Sequence, residues 1–230
     1  MSLNKISEQL LLAVKTNQTH GDFLFQLDNY SLDQLEKNLN NDEAKKAFWI
    51  NIYNAFFQIF RKVHQLDKPE IYKEKLINIA GEKLSLDDVE HGILRKYRYK
   101  YSLGFLPNFF TKNLIKKWAV NKIDYRIHFA LNCGAKSCPP IAFYSLEKID
   151  AQLQLATDSF LEGETDVLEE KKEIHITQLF KWFLADFGGK SGIRKILKEH
   201  LEIDSEGYNL VFKPYSWEEE LANYSDDFSS

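Results

Sequence analysis

Two cysteines in 230 residues are too few for a disulfide scaffold, and in a reducing compartment both are expected as free thiols. Glycine (10) and proline (5) are scarce as well, so no Gly/Pro-rich linker divides the chain and connections are expected to be short or polar. No run approaches the ~18 apolar residues that a membrane span needs. The opening MSLNKISEQLLLAVKTNQ lacks the long apolar region and small-residue cleavage site of a secretory signal. It reads as an amphipathic helix, and the protein is expected in the cytoplasm. Basic charge is not in excess either. Thirty Lys and Arg against 34 Asp and Glu give a net charge of −4, which argues against duplex nucleic acid or an anionic membrane surface as partner. The local lysines Lys112, Lys116, Lys117 and Lys122 read as a solvated helix face. The chain has no internal repeat and no low-complexity segment.

What is present is bulk. Hydrophobic residues make up 44% and aromatics 14%, with 17 Phe and 11 Tyr, enough for a substantial core or an aromatic-lined groove. This predicts a single globular domain over 1–230, with an N-terminal helical part (1–40), a core (41–220) and a polar tail (221–230). Helices are predicted over 5–16, over 32–39 after an N-cap at Ser31, and over 43–64. The last is apolar on most of its circumference and so belongs inside. Its Asn51, Asn54 and Gln58 form one polar stripe, which either bonds to neighbouring backbone or lines a cleft. A short strand over 76–80 precedes a helix in SLDDVEHGILRKYR. On that helix Glu90 falls inside the apolar face of Leu86, Val89, Ile93 and Leu94, while His91 and Arg95 stand together at i and i+4. A carboxylate in an apolar stripe is either a structural ion pair, with Arg126 as candidate partner, or a group that orients a histidine. His91 can pair with Asp87 or bind substrate.

Both cysteines sit in Tyr125 to Pro140, YRIHFALNCGAKSCPP. It reads as a strand ending in a tight turn. The period-2 rule puts Ile127, Phe129, Leu131 and Cys133 on an apolar face, and Arg126, His128 and Asn132 on the other. Cys133 is then a small core residue, and Cys138, on the turn before two prolines, is the exposed thiol. Three chemistries compete: a thiol nucleophile with a histidine base, a zinc site and a thiol redox pair. His128-x4-Cys133-x4-Cys138 matches no standard zinc pattern, and the cysteines are not in a Cys-x-x-Cys motif. No metal and no cofactor is expected. Further helices are predicted over 113–120, 146–161, 178–187 and from Ser191 to about His200, with strands over 173–176 and up to Pro214.

AFWINIYNAFF, SLDDVEHGILR, RIHFALNCGAKSCPPI and LFKWFLADFG, in this order, resemble the bacterial family catalogued as domain of unknown function 547, over about residues 40–220. Its motif matches at Asn51, Asn54, Glu90, His91, Arg95, Arg126, His128, Cys133 and Cys138. The resemblance implies no established activity. The chain is more distantly similar to papain- and transglutaminase-like folds, in which a buried helix packs against strands and one strand carries the catalytic His, as HFAL would here. It departs from them where the buried helix carries Asn51 and Asn54 in place of a Cys.

These readings predict an α+β fold: a buried central helix on a small, mainly antiparallel sheet with surrounding helices. The leading function is a thiol-dependent hydrolase or acyl transferase acting on an amide or ester. Cys138 is its nucleophile, His128 its base and Glu90 the orienting carboxylate, with Asn51, Asn54, His91, Arg126 and Cys133 binding substrate. The alternatives are a non-catalytic module that binds a peptide or small acid with the same polar cluster, and an interaction protein whose cluster is structural. Nothing in the sequence indicates the oligomeric state.

Overall fold

A computed structural model describes residues 1–225, and the fold is α+β. The first helix, α1 (Leu3–Lys15), begins where the Ser2 hydroxyl accepts from the Lys5 N–H. It buries Ile6, Leu10, Leu11 and Val14 against the central helix. Periodicity assigns nothing to residues 17–30, yet α2 (Gly21–Asp28) forms there. Only Leu27 of α2 is buried, so its pattern is faint. A capping box between Ser31 and Gln34 opens α3 (Leu32–Asn38).

The central helix, α4 (Asp42–Lys62), starts at an Asn41 side chain that accepts from the Ala44 N–H. Asp42 and Glu43 in its first turn and Arg61 and Lys62 in its last suit the helix dipole. Every residue from Ala44 to Phe60 is buried. Trp49 stacks on Trp118 with ring centres 5.9 Å apart. The helix packs chiefly on α1 and on a π-helical segment, Asp88–Leu94, rather than on a sheet. The strands form two small sheets, not one. After α5 (Glu70–Lys73), β1 (Ile77–Ile79) and β2 (Glu82–Leu84) make an antiparallel hairpin. Later, β3 (Asp166–Leu168) pairs antiparallel with β4 (Glu173–Ile176), and β4 pairs parallel with β5 (Asn209–Phe212). The helix α6 (Asn113–Trp118) lies against the π-helical segment; α7 (Ile149–Glu164) and α9 (Gly189–Leu201) pack together, and α8 (Leu179–Trp182) follows β4.

Two local outcomes differ from the periodic reading and shape the site. The segment predicted as an α-helix around Glu90 winds wider. The Arg95 N–H reaches back to the Glu90 carbonyl and the Tyr97 N–H to the Gly92 carbonyl, both five residues away. The segment predicted as a strand over 125–133 is a 3-10 turn at Tyr125–Phe129. The Asp124 carboxylate accepts from the Arg126 N–H and starts the turn, offering the backbone a local partner in place of a ladder. The two-faced alternation therefore fails: Ile127, His128, Phe129, Ala130 and Asn132 are all buried.

The apolar interior forms two clusters. One surrounds α4 and includes Ile127; the other holds Phe129, Phe180, Phe187 and the inner faces of β4 and α9. His128 lies between them in sequence. The expected polar tail also packs in its first part. The Ile141 N–H donates to the Asn223 carbonyl and the Ser225 N–H to that of Ile141. Residues 226–230 lie outside the described residues. Among the described residues, no helix is long and apolar enough to cross a membrane.

Candidate functional site

A cleft of about 530 Å³ opens where α4, α5, the π-helical segment, the cysteine turn and α8 converge. It falls in the size range of small-molecule sites. Glu90, His91, His128, Cys133 and Cys138 all line it. The rest of its wall is largely aromatic, including Tyr53, Tyr72, Trp182, Phe183, Tyr215 and Trp217.

His128 is held on two sides. Its Nε2 lies 2.9 Å from Asp186 Oδ2, and its ring stacks on Phe183 at 3.9 Å. A carboxylate only accepts, so Nε2 carries the proton and the lone pair is on Nδ1. Burial pushes the imidazole below its ordinary value despite Asp186, which keeps it neutral at pH 7. A neutral ring with a free Nδ1 is the form a general base requires. Asp186 Oδ2 also accepts from Arg95 Nε at 2.6 Å, and both side chains are fully buried. The orienting carboxylate is thus Asp186, not Glu90. Gly104, at φ +86, comes so close that a Cβ there would collide with Asp186 Oδ1. The Ala185 N–H ties this segment to the Leu103 carbonyl on the cleft rim.

Arg95 also reaches His91, with Nη1 2.8 Å from Nδ1. A guanidinium only donates, so His91 accepts at Nδ1 and carries its proton on Nε2, 3.7 Å from Asp87 Oδ1. Burial, and then the Arg95 charge, push its pKa down to about 3. One arginine therefore sets the tautomers of two histidines, directly at His91 and through Asp186 at His128. Glu90 is part-buried beside them. It accepts from the Tyr53 hydroxyl at 3.2 Å, and burial pushes its carboxyl up. Among the described residues it makes no ion pair with Arg126 and no hydrogen bond to His128.

The exposures of the two cysteines are the reverse of those expected. Cys138, predicted as the exposed nucleophile, is 4% exposed. Its sulfur lies 3.1 Å from the Cys133 N–H and 3.1 Å from the Tyr215 hydroxyl, and burial pushes its thiol up. Cys133, predicted as core, is half-buried and faces the cleft. Hydrogen bonds from the Cys138 thiol and the Tyr215 hydroxyl pull its pKa down to about 6. The reversal follows from the lost strand, since the turn presents both His128 and Cys133 to one space. Among the described residues neither sulfur hydrogen-bonds an imidazole, and no three His, Cys, Asp or Glu side chains converge as a metal set.

Three predicted substrate-binding residues stand away from the cleft. Asn51 is fully buried and clasps Tyr144, donating to its carbonyl at 2.7 Å and accepting from its N–H at 3.0 Å. Asn54, also fully buried, donates to the Ala130 carbonyl at 2.9 Å and accepts from the Asn132 N–H at 3.0 Å. Both act as strand-like partners for loops that lack a ladder. Asn132 then closes the cysteine turn, donating to the Pro139 carbonyl and accepting from the Gly134 N–H, each at 2.7 Å. Arg126 is bound by Asp124 (2.8 Å) and Asp150 (2.7 Å).

Sequence reasoning missed Asp186 and Tyr215. Asp186 carried the signal that drew attention to Glu90, an acid in an apolar run (FLADFG). Tyr215 had none, because only folding brings it to the cysteines. A family model described as Protein of unknown function, DUF547, matches residues 36–161. That span holds the cysteine turn and His128 but stops short of Asp186. No curated protein and no solved structure matches.

Proposed function

The chain belongs to the DUF547 family of proteins of unknown function, and we propose that the cleft carries out thiol-dependent acyl transfer or hydrolysis on an amide or ester. One observation carries the reading. A neutral imidazole, anchored through Nε2 and with no hydrogen bond at Nδ1 among the described residues, lines the same cleft as a thiol whose pKa is pulled down to about 6. Cys133 is the nucleophile, His128 the base and Asp186 the positioning carboxylate, with Arg95 holding Asp186. The Cys133 thiolate attacks the acyl carbon, His128 Nδ1 takes a proton from solvent and passes it to the departing amine or alcohol, and a thioester remains on Cys133. Water or a second nucleophile, deprotonated by the same nitrogen, then releases the acyl group. The Tyr72 hydroxyl and the His91 Nε2–H, both on the cleft wall, are the polar groups that would orient the substrate.

The test uses p-nitrophenyl acetate on the full chain. An acetyl mass should appear on the peptide carrying Cys133, and His128→Gln should slow acylation by roughly 10²–10⁴-fold. Turnover that survives Cys133→Ser, or an acetyl group on another residue, overturns the assignment. The second reading is a non-catalytic module for a peptide or small acid. It is favoured by the aromatic wall and by the lack of a sulfur–imidazole hydrogen bond among the described residues, and it predicts binding without acylation. We further read the partner as a small molecule or peptide, not nucleic acid or membrane, and the compartment as the cytoplasm, where thiols rest in the reduced state.

A further inference from the structure

We propose that Cys133 and Cys138 form an oxidation site: a hydroperoxide oxidises Cys133, and Cys138 resolves the product as an intramolecular disulfide. This goes beyond acyl transfer and does not depend on it. The two sulfurs share one neighbour, the Tyr215 hydroxyl. The Cys133 N–H points at the Cys138 sulfur from 3.1 Å, and the Tyr215 hydroxyl bridges the two at 3.5 and 3.1 Å. Only four residues separate them, in a turn closed by Asn132 and tightened at Gly134, whose φ of +68 and packing on Phe57 leave no room for a Cβ. Both thiols line the cleft, Cys133 the more exposed and Cys138 the buried one, so the peroxide reaches Cys133 with a second thiol beside it.

The chemistry balances with the peroxide as the only oxidant. The Cys133 thiolate attacks one peroxide oxygen and the O–O bond breaks. The alkoxide takes a proton from solvent, leaving an alcohol and a sulfenic acid. The Cys138 sulfur then attacks the Cys133 sulfur, the S–O bond breaks, and the departing hydroxide takes the Cys138 proton as water. Two thiols and one hydroperoxide give one disulfide, one alcohol and one water. The second step is helped by the first. Burial, and then the neighbouring Cys133 sulfur with its charge, hold the Cys138 proton on. An uncharged sulfenic acid removes that charge.

The full chain, freed of reductant, is treated with one equivalent of hydrogen peroxide and digested with trypsin without reduction. Lys136 lies between the cysteines, so the disulfide should appear as two tryptic peptides joined through sulfur that separate on reduction. Cys138→Ser should stop at the sulfenic acid, captured by dimedone on Cys133, and Cys133→Ser should give no adduct. The wild-type map stands even if a variant misfolds. Over-oxidation of Cys133 to the sulfinic acid without a cross-link, or dimedone on Cys138, overturns the proposal. If acyl transfer also holds, the cross-linked form should fail to acylate and should recover with dithiothreitol. A chain that never acylates but does cross-link sinks only the acyl-transfer reading.

Discussion

Asp186→Asn keeps the shape of the side chain and removes its charge, and in this protein the charge has two dependants. Arg95 Nε at 2.6 Å and His128 Nε2 at 2.9 Å both donate to one carboxylate oxygen, and the Arg95 and Asp186 side chains are fully buried. Removing one partner of a buried ion pair leaves an uncompensated charge and costs about 3–5 kcal/mol. In a chain of this size each kcal/mol moves the melting temperature by roughly 2–4 °C, so a fall of about 6–20 °C is expected in a calorimetric or dichroism melt. Replacing the pair together, Arg95→Met with Asp186→Leu, should cost less than the two single changes summed. Acid supplies a second readout. Against the upward push of burial, the hydrogen bonds from His128 and Arg95 hold the Asp186 carboxyl below its ordinary value of 3.8. The unfolded chain therefore takes up this proton first. The contribution is present above pH 3.8 and fades as pH drops below it. That acid limb should be missing in Asp186→Asn. A melting temperature within about 2 °C of wild type, with an unchanged acid limb, would refute the reasoning, because the carboxylate would then not be holding the arginine.

Asn54→Ala should cost on the order of 2–4 kcal/mol in urea denaturation, because it strands the buried Ala130 carbonyl and Asn132 N–H. It should also slow Cys133 alkylation at pH 6 by loosening the cysteine turn, whereas a substrate-binding Asn54 would leave stability unchanged. His91 should make the protein acid-sensitive. The unfolded chain binds its proton below about pH 6.5 and the folded one only below about 3, so stability should fall across that interval by up to about 1.4 kcal/mol per pH unit. His91→Gln should flatten the pH dependence of the urea midpoint, and an unaltered slope would contradict burial of a neutral ring.

Much of the frame was legible because it rests on local chemistry. Ser31 announces a helix start in sequence, and the apolar circumference of α4 announces its burial. Asn51, Asn54 and Gln58 were recognisable as amides inside a core. Which backbone they clasp was not, because Tyr144 and Ala130 lie 93 and 76 residues away. The candidate site was half legible. Glu90, His91, His128 and both cysteines do share one cleft, but the alternation rule assigned the cysteines to opposite roles.

By itself, then, the sequence determined the α+β class, the buried helix, the family and the short list of groups with chemistry in them. Each of these depends on residue type and on spacing within one element. Only the tertiary structure decided which cysteine is the more exposed, which carboxylate holds His128 and that Arg95 governs both histidines. The reason is physical. Asp124 diverts the chain at Arg126 from a strand into a 3-10 turn, which changes the direction of every side chain that follows. Asp186 and Tyr215, 58 and 82 residues from the groups they touch, join the site only when the second apolar cluster closes on the first.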